Sequence, residues 1–148
     1  MISPPTDPAD DTSNRTRNSL FAIVTVCITA GIWLGFAVFL GFMPETLLRT
    51  FGVDSQTPQM LTEIRAFYGG VEFGIAATMI LLWRKGQIPA ALCVGGIPLI
   101  GSATGRVLGL WVDGWFFPHL TMATVEYIGA AMCILGIWLQ RKSRRSSG

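Results

Sequence analysis

Long apolar runs separated by short polar breaks dominate the chain. They cover about residues 20–43, 64–83, 88–112 and 120–139. Each reaches the roughly 20 residues a helix needs to cross a hydrocarbon core about 30 Å thick. The runs are continuous rather than alternating, which excludes a membrane β-barrel. A helix satisfies its own backbone N–H and C=O groups in lipid, so four runs predict an all-α, four-helix transmembrane bundle. The breaks agree with this. "RKGQIP" reads as a tight turn between the second and third runs. "PETLLRTFGV" predicts a short surface helix, with Pro44 near its start and Gly52 at its end. "VDGWFFPH" sets the turn residues Asp113 and Gly114 beside Trp115, Phe116 and Phe117, aromatics expected in the interfacial belt.

Composition removes the soluble alternative. The 148 residues are 51% apolar and only 14% charged, with a mean hydropathy of +0.50. The net charge of +2 matters less than its distribution. Arg15, Arg17, Arg84, Lys85, Arg141, Lys142, Arg144 and Arg145 fall on one side of the membrane, and only Arg49 and Arg65 on the other. The positive-inside rule then predicts cytoplasmic termini, N-in and C-in, in the bacterial cytoplasmic (plasma) membrane. The first run, about 24 residues long, exceeds a signal-peptide core and reads as an uncleaved anchor. The expected layout is a disordered tail over 1–18, a membrane domain over 19–140 and a basic tail over 141–148. The basic tail reads as a topology signal with affinity for anionic lipid, and no nucleic-acid partner is expected.

Glycines recur four apart: Gly31 and Gly35, Gly70 and Gly74, and Gly101, Gly105 and Gly109. Small residues at this spacing let helix backbones approach closely in lipid. They predict three packing faces. "GGIP", ending at Pro98, predicts a kink in the third helix.

The informative residues are the charges inside the apolar runs. Glu72 lies roughly 13 Å beyond Glu63 along a helix, near the bilayer centre. Arg106 and Glu126 fall at similar depths, roughly 10 Å in. Polar pairs recur at i, i+7: Arg65 with Glu72, Arg106 with Asp113, His119 with Glu126. Seven residues is nearly two turns, so each pair shares a face, and Tyr68 lies on the first of these stripes. An arginine or aspartate at a helix centre costs about 2.5–3.5 kcal/mol on insertion scales. Convergence lowers that cost. Arg65 and Arg106 would balance Glu72 and Glu126 in a neutral interior cluster, with Arg106 as the partner of Glu72. The cluster either holds the helices in register or lines an outward-facing polar pocket.

Other chemistry is weaker. Cys27, Cys93 and Cys133 form no C-x-x-C pair and read as small apolar residues rather than redox groups. His119, the one histidine, makes no zinc or di-iron site alone and reads as a solvated loop residue. No metal or cofactor is expected, and no nucleotide or nucleophile motif is present.

"MPETLLRTFGV", "EIRAFYGG" followed by Glu72, "GRVLGLWVDG" and "VEYIGA" together resemble the uncharacterised bacterial membrane family "domain of unknown function 4345". That family is itself similar to DoxX-like four-helix proteins. The resemblance covers about residues 20–139 and implies one four-span domain. It points to Glu63, Arg65, Tyr68, Gly69, Gly70, Glu72, Arg106, Asp113, Gly114 and Glu126, and supplies no activity. The leading expectation is an integral membrane protein that binds a small amphipathic or lipid-like ligand, or serves as an accessory subunit. The candidate ligand residues are Arg65, Tyr68, Glu72, Arg106, Asp113, His119 and Glu126. The alternatives are an enzyme using Glu72 or Glu126 as acid or base on a lipid-like substrate, and an oligomeric proton-coupled transporter. Membrane lipid, such a ligand, and a second copy or other membrane protein are the expected partners.

Overall fold

The computed structural model describes residues 8–145. They form helices α1 (Pro8–Phe42), α2 (Pro44–Thr50), α3 (Pro58–Ile64), a π-helical segment (Arg65–Gly70), α4 (Val71–Arg84), α5 (Ile88–Val112) and α6 (Phe117–Arg145). No strand occurs among the described residues. Four stretches are long and apolar enough to span a membrane: Thr16–Phe42, Pro58–Arg84, Ile88–Val112 and Phe117–Ser143. The second joins α3, the π segment and α4 into one rod. The chain is therefore a multi-pass, four-helix membrane protein. The first turn of α1 and the last turn of α6 lie at one end of the bundle, and the 43–57 and 113–116 loops lie at the other.

α1 begins at Pro8, inside the stretch expected to be an unstructured tail. Proline suits the first helical position, and acidic residues near it suit the positive end of the helix dipole; both signals occur in "PADD". α6 likewise runs to Arg145 through the basic tail, where cations suit a helix C-terminus. The remainder of the two expected tails, residues 1–7 and 146–148, lies outside the described residues. The surface helix forms where expected, with Pro44 at its first position and Gly52 at φ 76° just past its end. α5 continues through Pro98.

α1 packs on α4 and α6 and also reaches α5 across the bundle. α4 packs on α5, and α5 pairs most extensively with α6. That leaves α4 and α6 on the wide diagonal. The half nearer the termini holds a close-packed core of Ala22, Val26, Ala30, Trp33, Ala76, Met79, Ala91, Leu92 and Cys133. Its polar atoms are satisfied locally. Thr25 Oγ1 donates to Phe21 O at 2.9 Å, Trp33 Nε1 donates to Gly95 O at 3.3 Å, and Thr29 Oγ1 lies 3.7 Å from Cys133 Sγ.

The glycines that bring helices together are not those singled out by spacing. A Cβ on Gly31, Gly35, Gly74, Gly101 or Gly105 would meet nothing within 4 Å. One on Gly70 or Gly109 would meet only its own helix or its cap. Close approach occurs instead at Gly69, whose Cβ would lie 3.3 Å from Gly41 Cα, and at Gly96, 2.9 Å from Cys133 Cβ. Gly96→Val should therefore drive α5 from α6 and destabilise the bundle by about 1–3 kcal/mol. Gly101→Ala should be neutral or stabilising, because alanine is the better helix former. Unfolding titrations of the two variants in mixed micelles compare them directly. Equal losses would place the helix contacts wrongly.

Candidate functional site in the loop half of the bundle

Polar side chains gather in the half that the apolar core does not fill. Arg106 on α5 points at Glu126 on α6, its Nε lying 3.1 Å from both carboxylate oxygens. Ser102, one turn before Arg106 and hence on the same face, donates its hydroxyl to Glu126 Oε1 at 2.8 Å. On the side nearer the loops, Arg106 Nη1 lies 3.5 Å from His119 Nδ1. Glu126 thus accepts from two donors, and Arg106 has a carboxylate and an imidazole. The side chains of Arg106 and Glu126 are 24% and 15% exposed, so the pair is partly buried without being sealed.

His119 is not the solvated loop residue expected. It lies in the first turn of α6, stacked on Phe51 at 4.8 Å and met edge-on by Phe116 at 5.1 Å. Phe51 follows α2, so the first loop folds over the loop end and holds the ring that faces Arg106. Gln56 fastens that loop by donating to Val53 O at 3.2 Å and Glu45 O at 3.4 Å.

Glu72 differs from the rest. Its Oε2 is buried and has no hydrogen-bond partner among the described residues. Arg106 and Glu126 are the charged groups that act on it electrostatically, so it faces the same interior, from the helix beside α5 and across the wide diagonal from Glu126. The ion pair expected between Glu72 and Arg106 does not form. Glu126, from the helix that packs most extensively on α5, takes the arginine instead.

Arg65 leaves the cluster altogether. Its Nε donates to Gly41 O at 3.2 Å, and its Nη2 lies 3.7 Å from Glu45 Oε1 on α2. The cause is the π-helical turn between Arg65 and Glu72. Each π turn holds more residues than an α turn, so rotation per residue falls below the roughly 100° of an α-helix. Seven residues no longer return to the same face. With both side chains 42–45% exposed, the Arg65–Glu45 pair should contribute less than about 1 kcal/mol. Glu45→Gln should leave the unfolding midpoint nearly unchanged, and a large drop would show the pair to be structural.

Tyr68 and Asp113 also stay outside. Tyr68 is exposed and, with Glu63, Ile64 and Phe67, lines an open groove of about 360 Å³ beside the π segment. Asp113 is exposed at the C-terminal end of α5. Sequence reading missed Ser102, whose i, i+4 relation to Arg106 was the available signal. It also missed the bond between Thr104 Oγ1 and Tyr127 OH at 3.1 Å, for which no local signal exists.

The three cysteines are free. Cys27 is exposed on the outer surface of α1 and Cys133 lies in the core, so the three do not gather. Among the described residues no group of three or more metal-ligating side chains occurs.

The fold and site together define a four-span helical membrane protein with an interhelical arginine–glutamate pair beside an unpaired interior glutamate. The family model for the domain of unknown function DUF4345 matches residues 16–140, and the chain belongs to that family. No curated protein and no solved structure matches it.

Proposed function

We propose that the protein binds a small amphipathic molecule inside the loop half of its bundle, with its termini in the cytoplasm. The observation that carries this reading is the orphaned Glu72 Oε2 beside the Arg106–Glu126 pair. A purely structural network would be expected to satisfy its own members, because an unpaired buried polar group is costly. Intramembrane ionisable residues mark functional sites by default. The distribution of lysine and arginine supports cytoplasmic termini, and with them a site in the outer half of the membrane.

The test is to purify the full chain in mild detergent and identify retained small molecules by mass spectrometry. A compound present in the wild type and depleted in Glu72→Gln supports the reading. An identical set in both proteins refutes it.

The unpacked glycine faces favour a second role as a subunit. Gly31 with Gly35 and Gly101 with Gly105 have helix-packing spacing and meet no helix of their own chain. Native mass spectrometry from a bilayer mimetic reads this directly. A monomer alone would remove the self-association form of this role.

A further inference from the structure

Resting on the binding reading above, we infer that the group held at Glu72 is cationic: the ammonium head of an amphiphile, not an anionic head. The sequence placed two arginines, Arg65 and Arg106, among the candidate ligand residues. Both arginines are committed. Arg65 is held by Glu45 and the Gly41 carbonyl at the edge of the bundle. Arg106 is held by both oxygens of Glu126 and by His119.

Charge counting follows from those contacts. With Arg65 withdrawn, the interior groups that act on one another are Glu72, Arg106 and Glu126. Ionised together, Glu72 and Glu126 would set two carboxylates against one guanidinium, an excess that a bound cation relieves and that protonation of Glu72 must relieve without one. His119 adds none while its Nδ1 accepts from Arg106. An anionic head would raise the excess and would have to displace Glu126 from Arg106. An ammonium removes the excess and brings three N–H donors, while an ionised carboxylate only accepts. The orphaned atom is such an acceptor, Glu72 Oε2.

The surroundings suit an amphiphile. Glu72 is flanked on its own face by Ala76, small and buried, at i+4. The neighbouring side chains Val71 and Phe73 are 52% and 57% exposed on the outer surface of α4. An alkyl chain therefore has apolar surface within reach of a carboxylate.

The experiment uses the full chain in nanodiscs of phosphatidylglycerol, with octylammonium, octanol, octanoate and octyl phosphate as probes, and reads binding by calorimetric titration. Octylammonium should bind saturably. Glu72→Gln should weaken it by at least about tenfold, the loss expected for a charge-assisted hydrogen bond. Glu72→Asp, which keeps the charge, should retain part of the affinity. Arg65→Gln should bind as the wild type does. Octanol binding as tightly as octylammonium would overturn the charge assignment. So would octanoate or octyl phosphate binding that depends on Arg106, although the binding reading itself would then stand. If no probe binds and the purified protein retains no small molecule, both fall. Repeating the titration with phosphatidylethanolamine in the disc separates two sources of the amine. Competition assigns it to a lipid headgroup, and its absence to a free amphiphile.

Discussion

Arg106→Leu should lower unfolding stability by about 3–5 kcal/mol, the cost of breaking a buried pair from one side. The reason lies in what remains. Glu126 would keep the Ser102 hydroxyl and lose the donor to both of its oxygens. His119 Nδ1 would lose its partner as well. The double variant Arg106→Leu, Glu126→Leu removes both charges and should recover most of the loss, because replacing a whole buried pair by apolar groups is often neutral. Titration with a denaturing detergent measures all the arms of this cycle. If the single and double variants lose the same amount, the pair contributes nothing through its charges and acts only by volume.

Glu72→Leu should change stability with the opposite sign. In protein stripped of retained small molecules, removing a half-buried carboxylate with one buried, unpartnered oxygen should stabilise the bundle by about 1–3 kcal/mol. Glu72→Gln should gain less, since the amide still has to be satisfied. A gain in stability combined with a loss of retained ligand is the pattern of a site kept for function at the expense of the fold. A destabilised Glu72→Leu protein would mean that Glu72 holds a partner after all, and its role would then be structural.

The two predictions rest on unlike kinds of information. The bundle itself was legible because runs of about 20 apolar residues have few physical solutions in lipid. The short helix at Pro44 and the turn at Gly86 were legible because proline and glycine act locally. The residue types of the site were legible too, since an ionisable group deep in an apolar run stands out.

Pairing was harder. Arg65 was assigned to the face of Glu72 from a constant helical period, and the π turn over "RAFYGG" breaks that period without a distinctive sequence signal. The choice of Glu126 over Glu72 as partner of Arg106 depends on how closely α5 packs on each of its neighbours α4 and α6, and charge balance is silent on that. The glycine faces failed for a related reason. Spacing shows that a small-residue stripe exists, while helix rotation decides whether a neighbour covers it. His119 was misjudged because its support, Phe51, lies 68 positions away in the chain.

The most direct test is a solid-state NMR distance measurement in bilayers, between glutamate carboxyl carbon-13 and arginine side-chain nitrogen-15. In a Glu45→Gln background, which removes the Arg65 pair, a strongly dephased carboxyl signal should vanish in Glu126→Gln and persist in Glu72→Gln, as the 3.1 Å contacts of Arg106 with Glu126 require. If that signal survives in Glu126→Gln and is lost in Glu72→Gln, then Arg106 belongs to Glu72, Glu72 is not the orphaned carboxylate, and the proposed site does not exist.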